Sequence, residues 1–235
     1  MAMRMSALFS TVTSDPPQFT HSPFLTMVRK LFLMRHAITA SNINSLWTGH
    51  LDINIATSIQ HPRIMPPTST GQASVDVIIC STAKRCRQTL DLIDNATNTK
   101  VVYDSQFIEC CYGKYTGLPK DSDIFRRTLY NTPGSSGDFI GESRLVGGRR
   151  AFKRYQQLVT EQQLHDKAVL IVSHKNTLTG FWVLYYLDQY YKSIGSCLDL
   201  ERIGDVPVQH MDEIIARHPI PSPFVNTQPY ELHQC

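Results

Sequence analysis

Three short apolar runs set the first constraint on this chain. Leu31-Phe32-Leu33-Met34, Val75 to Cys80 (VDVIIC) and Ala168 to Val172 (AVLIV) are each followed directly by polar residues. Runs this short and this uninterrupted read as strands covered on both faces, the pattern of a parallel sheet. Val101-Val102-Tyr103 is a shorter example. Helical spacing fills the intervals. Lys84 to Ile93 puts Cys86, Leu90 and Ile93 on one face, and Leu145 to Leu164 carries Phe152, Tyr155, Leu158 and Val159. Thr177 to Tyr191 is rich in aromatics and leucine. Strands alternating with helices predict an α/β domain of three layers, a mostly parallel sheet with helices on both faces.

At 235 residues the chain can bury one substantial core. The expected division is a loosely docked or disordered extension over residues 1–26 and one domain over 27–235. The extension has many Ser, Thr and Pro residues, and Pro16-Pro17 disfavours an amphipathic targeting helix. A net charge of +3, without a dense Lys/Arg stripe, argues against nucleic acid. No apolar run reaches the roughly 18 residues of a membrane span. Six cysteines without a C-x-x-C pair or a His cluster suggest buried thiols and no metal site. The expected compartment is the cytoplasm, with organellar targeting by residues 1–26 left open. Pro62, Pro66 and Pro67 exclude a long helix over Ala56 to Gln72, and Asn131 to Gly141 reads as a Gly/Ser loop.

The chemistry stands where the strands end. The first strand runs into Arg35-His36 and the AVLIV strand into Ser173-His174. In open α/β sheets ligands bind at the carboxyl ends of the strands, so two histidines leaving there can share one crevice. Ser81-x-x-x-Arg85-x-x-x-Thr89 begins where VDVIIC stops and places a guanidinium at the start of a helix, suited to two phosphate oxygens. Glu109 follows the Val101 strand in the turn-rich segment ECCYGKYTGLPK. In a crevice its carboxyl can give and take a proton. Each signal alone has an ordinary structural reading; together they describe a pocket for a tetrahedral anion.

In order and spacing, these segments resemble the histidine phosphatase superfamily, the phosphoglycerate mutase-like fold, and most closely its cofactor-dependent mutase branch. Arg35-His36 is similar to the family's Arg-His-Gly, Asn42 to its Asn six residues later, and Trp47-Thr48-Gly49 to the mutase Phe-Thr-Gly. Ser81 to Thr89 matches the arginine-bearing helix start. Glu109 to Lys120 resembles the segment supplying an acid, a substrate-contacting tyrosine (Tyr112) and a lysine (Lys120). Phe125-Arg126-Arg127 resembles Trp-Arg-Arg, and Ser173 to Leu178 resembles His-Gly-Asn-Ser-Leu, with Lys175 at the Gly and Asn176 at the Asn. Pro229 to Leu232 resembles the family's last strand.

The resemblance implies a phosphohistidine at His36, with Arg35, Arg85 and His174 gripping the phosphoryl group and Glu109 as acid and base. Asn42, Thr48, Gly49, Tyr112, Lys120, Arg126, Arg127, Lys175 and Asn176 would bind the substrate, a small phosphorylated molecule. It also implies interconversion of 2- and 3-phosphoglycerate, no metal, 2,3-bisphosphoglycerate as phosphoryl primer, and pairing into a homodimer or higher homo-oligomer. The alternatives are a phosphatase acting on small phosphate monoesters and a relative that binds phosphate with little or no turnover. Three departures matter: Ala37 for the Gly after the nucleophile, Ile38 where mutases place Glu, and Lys175 for Gly. An alanine at 37 would be strained if that position needs a positive φ. Lys120 to Arg126 is about ten residues shorter than in mutases.

Overall fold

The computed structural model of the chain describes residues 28–65, 75–94, 99–120, 141–205, 208–219 and 226–233. The expectations placed on residues 1–26 and their boundary, on Arg126 and Arg127, and on most of the Asn131 to Gly141 loop lie outside the described residues.

Five strands form one sheet: β1 (Lys30–Arg35), β2 (Val77–Ser81), β3 (Lys100–Asp104), β4 (Ala168–Ser173) and β5 (Pro229–Leu232), in the order β3-β2-β4-β1-β5. The first four run parallel, and β5 closes the β1 edge antiparallel. The sheet is therefore mostly parallel, as the apolar runs require. Pro229 opens an edge strand, where a missing N–H is tolerated.

The helices are α1 (Ala40–Ile43), α2 (Lys84–Leu90), α3 (Arg144–Glu161), α4 (Lys175–Ser193) and α5 (Val208–Arg217). Successive strand residues face opposite ways. Leu31, Leu33, Val77, Ile79, Val169 and Ile171 enter the core against α3 and α4, with Phe152, Leu158, Phe181 and Val183. Phe32, Met34, Ile78, Cys80, Leu170 and Val172 point to the other face, where they meet Cys86 and Leu90 of α2 and Ile64 and Ile93. Each such buried side chain contributes about 1.5–3 kcal/mol. That stake holds strand register firmly, because a slip by one residue would exchange the two faces.

Residues 56–65 carry no helix, as the prolines demand; Ile64 instead bridges to Ile93. The local pattern did not foretell α1, a single turn closed by Thr39 and Asn42, or α5, which packs on α4.

One contact sets the geometry of the α3–α4 pair. A methyl group on Gly148 would fall 2.2 Å from the Gly180 carbonyl carbon, and one on Gly180 would fall 1.9 Å from the Arg144 carbonyl oxygen. The backbones touch there. One turn earlier on each helix, Arg144 and Asn176 are brought together.

Candidate active site

β1 and β4 are neighbours whose ladder ends at one level, with Arg35 opposite Ser173 and the His36 N–H donating to the Ser173 carbonyl at 3.0 Å. His36 and His174 thus leave the sheet side by side, ring centroids 5.1 Å apart and planes inclined by 57°. Both rings are buried.

His36 Nδ1 lies 2.7 Å from the Ala37 carbonyl oxygen. A carbonyl only accepts, so Nδ1 carries the proton and Nε2 keeps the lone pair. The attacking nitrogen, which the sequence left open, is therefore Nε2. Ala37 is not among the residues of positive φ, so its methyl group causes no backbone strain. Its N–H donates to Thr89 Oγ1 at 2.8 Å, and the Thr89 hydroxyl donates to the Arg85 carbonyl at 2.6 Å. That pair of bonds ties the loop after His36 to α2.

His174 is engaged at both nitrogens. Arg85 Nε donates to Nδ1 at 3.1 Å, which leaves the ring proton on Nε2, 2.9 Å from Ser81 Oγ. Burial holds both imidazoles well below the usual histidine pKa, and the Arg85 charge lowers them further. Both rings are neutral at pH 7. Cys86, whose sulfur is 3.5 Å from His174 Nε2, has its thiol pushed up to about 12 by burial and stays protonated.

Arg85 is 1% exposed and spans the site. Its Nη1 donates to the Leu51 carbonyl at 2.6 Å and its Nη2 to the Gly49 carbonyl at 2.9 Å. These and the His174 bond use three of its five N–H donors, leaving two for a phosphoryl oxygen. Gly49 has φ of 51°, and a Cβ there would press on Thr116 and Tyr112 at 3.2 Å. Glycine is needed to offer that carbonyl. Arg35 is half-buried, and its charge reaches both rings, lowering the pKa of each.

Glu109 approaches from the segment after β3. His174 stands at the N-cap of α4 but makes no side-chain cap. Glu109 caps the helix from a distance, its Oε1 accepting from the Thr177 N–H at 3.2 Å and from the Cys110 N–H at 3.0 Å. A carboxylate at a helix start is favoured by the exposed N–H groups there. Thr177 Oγ1 donates to the Ile108 carbonyl at 2.8 Å and Ser173 Oγ to the Phe107 carbonyl at 2.6 Å, which pins the segment. Oε2 is left to handle a proton.

The expected substrate contacts divide. Tyr112 and Asn176 are buried and hydrogen-bonded to each other, the Asn176 amide donating to the Tyr112 hydroxyl. Lys175 is half-buried beside them, its pKa lowered to about 8 by burial first and then by Arg35, Arg144 and Lys120. Lys120 is exposed, its ammonium 5.9 Å from the centre of the Trp47 ring. Thr48 is buried. Asn42 closes a capping box, its side-chain oxygen accepting from the Thr39 N–H at 3.1 Å, so that only its amide nitrogen could serve a ligand.

The sequence reading missed Arg144, which is buried and donates through Nε to Asn176 Oδ1 at 2.7 Å. It also gave no role to Thr177. Among the described residues, no group of three or more His, Cys, Asp or Glu side chains could hold a metal ion. No helix among them is long and apolar enough to cross a membrane.

Comparisons with known proteins agree with this geometry. Residues 31–186 match the profile of the Histidine phosphatase superfamily (branch 1). The chain is 26% identical to Probable phosphatase C1687.21 of Schizosaccharomyces pombe, over 62% of this chain and 68% of the other. It is 27% identical to the 2,3-bisphosphoglycerate-dependent phosphoglycerate mutase of Mesorhizobium japonicum, over 77% of this chain and 91% of the other. Among solved structures, mycobacterial glucosyl-3-phosphoglycerate phosphatase with VO3 superposes at a TM-score of 0.56 and 16% identity. That superposition covers 87% of this chain and 91% of the other, and it bears on the fold alone.

Proposed function

The chain belongs to the histidine phosphatase superfamily, and from that premise we propose that it takes the phosphoryl group of a small phosphate monoester onto His36 Nε2 and passes it to water. The observation that carries the reading is the pair of neutral imidazoles 5.1 Å apart, with the Arg85 guanidinium bonded to one of them. A monoester brings about two negative charges. A neutral nucleophile adds no third, and Arg35 and Arg85 balance the two.

The Nε2 lone pair attacks phosphorus as the ester oxygen leaves. Glu109 gives that oxygen its proton and, as a carboxylate, takes one from the water that attacks the phosphohistidine. Charge on the three equatorial oxygens is met by donors already in place, Arg85 and Arg35, with His174 fixed between Arg85 and Ser81. Water is favoured as the acceptor by the short connection between Lys120 and Arg126.

The second reading is a phosphoglycerate mutase. It is favoured by the mutase-like Tyr112, Lys120 and Asn176, two of which are hydrogen-bonded to each other in the site. There 2,3-bisphosphoglycerate would prime His36, and Lys120 and Lys175 would supply charge for its second phosphate. Cytoplasmic location and a homodimer belong to the same reading by analogy.

The test is chemical. Protein incubated with labelled 2,3-bisphosphoglycerate should acquire acid-labile label that His36→Ala abolishes. Absence of label from this donor and from p-nitrophenyl phosphate would leave only a phosphate-binding protein. With 3-phosphoglycerate, free phosphate means phosphatase and the 2-isomer means mutase.

A further inference from the structure

Phosphoryl transfer accounts for Arg35 and Arg85 but leaves Arg144 and Lys175 without a task. Arg144 is 8% exposed, deeper than arginine usually lies. Its Nε bond goes to a neutral amide, Asn176 Oδ1 at 2.7 Å. Because that oxygen accepts from Arg144, the Asn176 amide nitrogen must turn to Tyr112, which fixes the orientation of both groups. Lys175 is the next residue on α4 and is half-buried. Both cations stand at the first position of a helix, where positive charge is disfavoured. The Gly148–Gly180 contact holds them together, because it sets Arg144 against the first turn of α4.

Lys175 is ringed by charges of its own sign: Arg35 at the end of β1, Arg144 on α3, and Lys120. Glu109 is its acidic neighbour. The protein thus concentrates positive charge one residue beyond His174, at a cost in desolvation that an anion would offset. Two charges of a monoester are already balanced at Arg35 and Arg85. A further anion must come from elsewhere in the substrate.

We infer that Arg144 and Lys175 bind a carboxylate carried by the same small molecule as the transferring phosphate, and that Arg144 is the residue that selects such substrates. The planar guanidinium matches a carboxylate, and the Arg144–Asn176–Tyr112 chain orients it. The inference rests on phosphoryl transfer at His36. It narrows the substrate class to phosphorylated small carboxylic acids.

The experiment compares 3-phosphoglycerate with glycerol 3-phosphate, which has a hydroxymethyl group in place of the carboxylate. p-Nitrophenyl phosphate serves as the reference for chemistry at His36. The full chain should prefer 3-phosphoglycerate by about tenfold or more in kcat/KM, the worth of one charged hydrogen bond. Arg144→Met should reduce that ratio towards one, chiefly through KM, and Arg144→Lys should restore part of it. Lys175→Met, at a half-buried position, gives the same reading should Arg144→Met fail to fold. A wild-type enzyme that turns over both esters equally overturns the inference and leaves the chemistry at His36 standing. So does a variant that slows both esters in proportion, since Arg144 would then merely position Asn176. No turnover of any of the three, with no label on His36, overturns both readings.

Discussion

Two ends of one site are built by different means. At the phosphoryl end, both nitrogens of His174, Nδ1 of His36 and all three nitrogens of Arg85 are hydrogen-bonded to the chain itself. The parts come from strand ends, and parallel pairing sets their spacing. At the other end, Lys120 is exposed and Lys175 half-buried, and Arg144 reaches the site only because two helices touch at glycines. The first end is fixed by the sheet, whose geometry changes little without unfolding the core. The second depends on a helix crossing and a loop, which can vary while the core stays the same. Chemistry and selectivity can therefore change separately.

The sharpest way to break this comparison is Arg85→Lys. A lysine keeps the charge but loses the fork that joins His174 Nδ1 to the Gly49 and Leu51 carbonyls. Turnover of p-nitrophenyl phosphate should fall by about a hundredfold or more. A lysine variant with unchanged kcat would mean that the phosphoryl end tolerates disorder and is not the preorganised half.

Gly180→Ala tests the other end through its scaffold. Its methyl group would meet backbone 1.9 Å away, with no flexible side chain to yield. Urea unfolding should show a loss of about 3 kcal/mol. Whatever enzyme remains folded should lose discrimination between 3-phosphoglycerate and glycerol 3-phosphate, because α3 must move away and take Arg144 with it. Stability unchanged from wild type would show that the crossing is loose and does not set the Arg144–Asn176 contact.

The same division decides what could be read from the sequence. The strands were legible because burial on both faces leaves uninterrupted apolar runs, and His36, His174 and Arg85 were legible because they follow those runs directly. Pro229 to Leu232 was found as the final strand. Arg144 was not legible. It lies 32 residues from Asn176 and is joined to it by a helix crossing that no local pattern encodes. The faint signals were glycine pairs such as Gly147-Gly148 and a lone Gly180 inside an aromatic helix, which mark close approach only once the partner helix is known. Asn42 shows the reverse case: its spacing from His36 suggested a ligand contact, whereas its side-chain oxygen closes a capping box with Thr39. The role of Thr177 was hidden too, because it acts by donating its N–H to a carboxylate from another segment.

The smallest expected effect follows from the charge on Lys175. Burial and the cations Arg35, Arg144 and Lys120 lower its pKa to about 8, against the opposing pull of Glu109. A lowered lysine pKa means that the free enzyme loses this charge as pH rises through about 8. The profile of kcat/KM reports groups of the free enzyme, so 3-phosphoglycerate should lose up to about tenfold between pH 7 and pH 9. The phosphate is fully ionised above its second pKa of about 6, so the substrate adds no titration of its own there. Glycerol 3-phosphate lacks the carboxylate that Lys175 would meet and should give a flatter profile. Lys175→Met should flatten the 3-phosphoglycerate curve as well. If both esters decline with the same slope, the titrating group acts on the phosphoryl end, and the separation between the two halves of the site is wrong.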